Sequence, residues 1–134
     1  MLDHPEAAVR AAAISAVSAL GGQEAIPKLE PALKDIAPEV RAAAISALID
    51  SGDLDYLLEA GIVLKEMLEK TKTERLAAAK ALEDIRSADL LKPIIGLLQD
   101  EDPDVRIAAL ETCKAHINPR LIPVVITLLA DSAV

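Results

Sequence analysis

One octapeptide, Val-Arg-Ala-Ala-Ala-Ile-Ser-Ala, occurs twice without a change, at residues 9–16 and 40–47. Two relatives follow: Glu-Arg-Leu-Ala-Ala-Ala-Lys-Ala at 74–81 and Val-Arg-Ile-Ala-Ala-Leu-Glu-Thr at 105–112. Their arginines, Arg10, Arg41, Arg75 and Arg106, recur at nearly even steps, the middle step slightly longer than the two around it. A period of roughly 30 residues marks a stacked array, because a unit that small cannot bury its apolar face alone and must bury it against its neighbours.

Each unit reads as a pair of helices. Val9, Ala12, Ala13, Ala16, Val17 and Leu20 recur at i, i+3, i+4, i+7, i+8 and i+11, which places them on one face of a helix. Gly21-Gly22 ends that helix, and Pro5 is expected in its first turn, where a missing N–H costs nothing. A second helical pattern over 24–34 carries Ala25, Ile26, Leu29, Ala32 and Leu33, with Pro31 expected to bend it. The next unit opens at Pro38, stops at Asp50-Ser51-Gly52, and leads into a longer helix over 53–70. That helix takes up the extra length of the middle step, with Gly61 a candidate kink. Thr71 and Glu74 form a capping-box pattern ahead of a face of Ala77, Ala78, Ala81, Leu82 and Ile85. Ser87-Ala88-Asp89 introduces a short helix over 90–99, and Asn118-Pro119 opens the last one. The expected fold is all-α: a right-handed α-α superhelix of about four helix pairs, with repeats near 1–34, 35–70, 71–100 and 101–134 in a single domain. Neither end carries a polar capping unit, so the chain is expected to be part of a longer array with flanking helices.

Charge narrows the class of partner. With 22 acidic against 14 basic residues the net charge is −8, which repels a phosphate backbone, and an aromatic content of 1% leaves almost nothing to stack on bases. Nucleic acid is therefore excluded as the expected partner. A single cysteine rules out an internal disulfide, the N-terminus lacks a secretory pattern, and no apolar run reaches the roughly 18–20 residues of a membrane span. A cytoplasmic setting is expected, either alone or as the soluble domain of a membrane-anchored protein, without direct membrane insertion.

The period, with Asp and Pro in a turn before Val-Arg-x-Ala-Ala, resembles the HEAT repeat of the short bacterial type. Asp35, Pro38-Glu39-Val40-Arg41-Ala42-Ala43-Ala44 and 100–109 (Asp-Glu-Asp-Pro-Asp-Val-Arg-Ile-Ala-Ala) carry the resemblance, which extends over essentially the whole chain. It implies a protein–protein scaffold whose second helices line a concave surface. It also implies a ladder in which turn acids and helix arginines link successive repeats. An acid precedes the arginine by six positions in three copies, as Asp35/Arg41, Glu69/Arg75 and Asp100/Arg106. The first copy departs from this, with His4 at that place beside Asp3, and the third lacks the proline and valine. Some relatives of this type act in bilin attachment to phycobiliproteins, and others lie beside nucleotide-transporter-like membrane domains. The alternatives to a binding module are therefore an accessory role in a bilin-lyase-like enzyme or a structural spacer.

No catalytic pattern stands out. Cys113 falls at the register of Val17, Leu48 and Leu82, a core position, and His116 follows at Cys-x-x-His spacing without a second ligand pair. Asp100, Glu101, Asp102 and Asp104 suit a helix start better than a calcium loop, since glycine and spaced ligands are missing. No Gly-rich phosphate loop, zinc-binding helix motif or nucleophile triad is present, so neither enzyme activity nor a cofactor is expected. What remains is the repeated face off the apolar stripe: Ser15, Ser46, Lys80 and Glu111, with Ser18, Ile49, Glu83 and Lys114 one turn further on. These are the expected contacts for a partner's helix or extended segment.

Overall fold

The computed structural model describes residues 5–85, 91–115, 122–123 and 125–127. Among them every regular element is helical: α1 (Ala7–Leu20), α2 (Gly22–Ala25), a 3-10 helix (Ile26–Lys34), α3 (Pro38–Asp50), α4 (Leu54–Leu68), α5 (Lys72–Asp84), α6 (Leu91–Leu98) and α7 (Pro103–Ala115). The four octapeptide helices form one layer, with α1 along α3, α3 along α5, and α5 along α7. The 3-10 helix and α4 lie over α3, and α6 lies over α7.

Side-chain size explains why the two layers differ. The octapeptide layer buries Ala42, Ala44, Ala47, Ala78, Ala79, Ala81 and Ala109, so its backbones come close. The other layer is built from Leu29, Leu33, Leu64, Met67, Ile94 and Leu98, and there α4 meets the 3-10 helix only at its margin.

The local devices are partly those the sequence announces. Asp53 caps α4 by accepting from Asp55 N–H at 3.0 Å, and Gly52 enters that cap at φ +79, a left-handed conformation that costs a side-chain-bearing residue. Thr71 Oγ1 accepts from Glu74 N–H at 3.4 Å, but the Glu74 carboxylate does not return to close the box; it points to Arg41 instead. Helix α4 runs through Gly61 without interruption.

Two expectations are corrected. The span 24–34 is not one α-helix: α2 ends at Ala25 and the 3-10 form continues to Lys34, because Pro27 and Pro31 each remove a donor and crowd the carbonyl four residues back. In α1 the buried residue is Ile14, packed with Ala7, Ala11 and Val17, whereas Ala12, Ala16 and Leu20 face outward, and Pro5 precedes the N-cap Glu6. An alanine-rich helix has almost no apolar asymmetry of its own, so the neighbour, here α3, chooses the face. The turn at 87–89, the opening at Asn118-Pro119, and Asp3, His4 and His116 lie outside the described residues.

Candidate functional site

The four arginines organise the turns between repeats. Arg10 grips Asp35 side-on, through Nε and Nη2 at 2.9 Å each, and its Nη1 donates to the Pro5 carbonyl at 3.0 Å. Arg75 places Nε 2.8 Å from Asp100 Oδ2 without the alignment of a hydrogen bond, donates from Nη2 to Oδ1 at 3.3 Å, and donates from Nη1 to the Lys70 carbonyl at 2.6 Å. Arg106 donates to the Glu101 carbonyl at 3.1 Å and to the Asp100 carbonyl at 2.7 Å. In all three the guanidinium holds the carbonyl five positions back. In the first two it also reaches the aspartate of the following turn, so the rung joins one repeat to the next and not an acid to the arginine of its own copy. Asp35 and Asp100 are the right aspartates for this because each also accepts an N–H two positions on, from Ala37 and Asp102 at 2.9 Å, which fixes the carboxylate within its turn.

The middle rung is a correction. Glu69 takes no part in it: the residue is exposed at the end of α4, where the longer second unit has carried it away. Arg41 pairs end-on with Glu74 instead, Nη1 to Oε2 at 2.9 Å and Nη2 to Oε1 at 2.5 Å, which leaves its buried Nε without an acceptor. A second link joins the starts of α5 and α7, where Lys72 lies 2.6 Å from Asp104 and 3.5 Å from Asp102. The hydrogen bond to Arg10 holds the Asp35 carboxyl below its ordinary range, and Arg41 does the same for Glu74. The Asp104 N–H, and then Lys72, hold Asp102 down.

The acidic turn is thus accounted for within the fold, by helix starts, Arg75 and Lys72. Among the described residues no three His, Cys, Asp or Glu side chains converge as metal ligands. Cys113 is half-buried against the core, and burial pushes its thiol up, away from the thiolate a nucleophile requires.

The repeated face divides along the array. Ser15 and Lys80 line a concavity of about 260 Å3 that spans α1, α3 and α5. Its floor is Ala11, Ala12, Ala42, Ala43 and Ala77, and its other polar walls are Glu39 and Asp84. Lys80 lies 3.5 Å from Asp84 and 3.9 Å from Glu83. Ser18 and Glu83 are half-buried, and Glu111 and Lys114 are exposed on α7, paired with each other at 3.3 Å. Ser46 and Ile49 are not available to a partner: both are buried, because α3 is flanked by α1 and α5 and covered by the 3-10 helix and α4. Ser46 Oγ is turned back onto the Ala42 and Ala43 carbonyls, at 3.1 and 3.2 Å. Spacing gave no sign of Thr112, wholly buried where Ala47 and Ala81 stand in other copies, whose hydroxyl reaches the Ala79 carbonyl of α5 at 3.1 Å.

Two stacked layers of helices with a repeating arginine rung define an all-α repeat solenoid. The family model for HEAT repeats matches residues 1–74 and again 62–134, and the chain belongs to that family. No curated protein and no solved structure matches it. HEAT repeats mediate protein–protein interaction or scaffolding and are typically non-catalytic. No described helix is long and apolar enough to cross a membrane.

Proposed function

We propose that this chain is a non-catalytic protein-binding module that holds a protein or peptide segment in the concavity of its alanine layer. The observation that carries this reading is the cleft across α1, α3 and α5, floored by small apolar residues and edged by Ser15, Glu39, Lys80 and Asp84. At about 260 Å3 it falls below the roughly 300–1,000 Å3 that enclose a small-molecule ligand, and suits one or two aliphatic side chains of a longer segment. The edge charges orient such a segment; the alanine floor supplies contact with little side-chain ordering. On this reading Glu111 and Lys114 extend the same surface along α7.

Filling the cleft with Ala43→Phe, or reversing Lys80 and Lys114 together, abolishes capture of a cell-lysate partner that the wild type retains, whereas Lys28→Glu on the exposed side of the 3-10 helix does not. A partner retained equally by the cleft variants, with their helical circular dichroism intact, refutes the reading.

A further inference from the structure

Helix α4 has two apolar faces. One is the core stripe of Ala60, Leu64 and Met67, all buried. At 100° per residue, Leu54, Leu58 and Ile62 lie on the opposite side, and they are 67%, 59% and 61% exposed. Three large aliphatics at i, i+4 and i+8, each more than half in water, contribute little to this fold, and a continuous apolar strip of that kind marks an interaction surface.

Gly61 is an independent sign on the same face. It sits inside α4, where glycine is less favourable than alanine, yet a Cβ there would meet nothing within 4 Å. Packing among the described residues therefore gives no reason for it. Residues at i, i+3, i+4 and i+7 frame the hole into which a partner helix inserts a side chain. On α4 two such frames follow one another, 54/57/58/61 and 58/61/62/65, and Gly61 belongs to both. A glycine at that place lets a second helix come close. Gly96 in α6 is also open, but no exposed large aliphatic adjoins it among the described residues.

The charges beside the strip identify the visitor. Asp55, Glu59 and Glu66 run along one edge, against Lys65 at the far end of the strip, on a chain of net charge −8. We propose that the outer face of α4 docks an amphipathic helix of a partner protein, one with an aliphatic i, i+3, i+4, i+7 stripe and lysine or arginine along the edge that meets those carboxylates. A second copy of this chain would set like carboxylate edges near one another and is the less favoured occupant. This site is separate from the concavity of the alanine layer.

The probe is a displayed library of amphipathic helices with aliphatic residues held at i, i+3, i+4 and i+7 and all neighbours randomised, selected on the whole chain. Selected peptides should carry Lys or Arg along one edge and lose at least ten-fold in affinity on Leu58→Asp. They should lose several-fold on Gly61→Ala, even though that change raises the melting temperature, and nothing on Ala43→Phe. Opposite signs for stability and binding at Gly61 separate docking from a folding effect. The proposal is overturned by clones that bind Leu58→Asp as well as wild type, by edges without basic enrichment, or by undiminished binding to Gly61→Ala. It is equally overturned by a wild-type dimer in sedimentation that Leu58→Asp abolishes, which would make a second copy the occupant.

Discussion

Cutting the rung between Arg41 and Glu74 tests whether inter-repeat ion pairs hold this array together. Both side chains are mostly buried, at 12% and 14% exposure, and two charge-assisted hydrogen bonds join them. Such bonds are each worth about 1.5–3 kcal/mol when lost from a dry site, and residual contact with water lowers this. The end-on geometry lowers it again, since Arg41 Nε already lacks an acceptor. A coupling energy of about 1–2 kcal/mol follows for the double-mutant cycle of Arg41→Ala and Glu74→Ala, measured by urea unfolding. Glu74→Ala alone should cost somewhat more than that, because it leaves a guanidinium largely buried without its anion. Glu69→Ala, at the position the six-residue spacing singles out, should stay within about 0.5 kcal/mol of wild type. The pH dependence carries the same signature. Arg41 depresses the Glu74 pKa in the folded state, so this stability is present above the unfolded carboxylate value, near 4.3, and is lost as pH falls through the folded one. Glu74→Gln should flatten that part of the acid limb. A coupling no larger than that of the exposed Lys114–Glu111 pair, or an acid limb unchanged by Glu74→Gln, would refute the reasoning.

Val40→Ala should cost about 2–3 kcal/mol in urea unfolding, and Val9→Ala no more than about half of that, although both sit in the same octapeptide: Val40 is buried and Val9 only partly so. Equal costs would mean that the array does not distinguish its positions. Thr112→Val should lose about 1 kcal/mol and Thr112→Ser much less, because the hydroxyl bond from α7 to Ala79 is the feature removed. Tyr56 is the only tyrosine and there is no tryptophan, so an absorbance titration reads it alone. Its midpoint should lie above 10, raised first by burial and then by Glu30, Asp53, Glu59 and Asp55. A raised value in the fold favours the neutral ring, so the contribution is present below the unfolded pKa and disappears as pH rises through the folded one. An unshifted midpoint would refute the placement of Tyr56 beside the core.

Much of the architecture was legible because repetition is a sequence property. Helix pairs, the turn acids, the Asp53 and Thr71 starts and the core positions Leu48 and Leu82 follow from spacing and residue type. The rung partners did not follow: Arg10 finds Asp35 in the turn of the next repeat, and the longer second unit replaces Glu69 with Glu74. Nor did the outer strip of α4, since Leu54, Leu58 and Ile62 are indistinguishable by type from the Leu64 and Met67 that the core takes.

The two copies of Val-Arg-Ala-Ala-Ala-Ile-Ser-Ala show where the division falls. By itself the sequence determined that both are helices and that they stack, because helix propensity is local and a shared period imposes a shared geometry. Only the tertiary structure decided that Ser15 edges a cleft while Ser46 is buried, and that Ala16 is exposed while Ala47 is not. Burial is set by how many neighbours surround a helix: among the described residues α1 lies along α3 alone in its layer, and α3 lies between two. An alanine-rich helix has no strong preference of its own to oppose them.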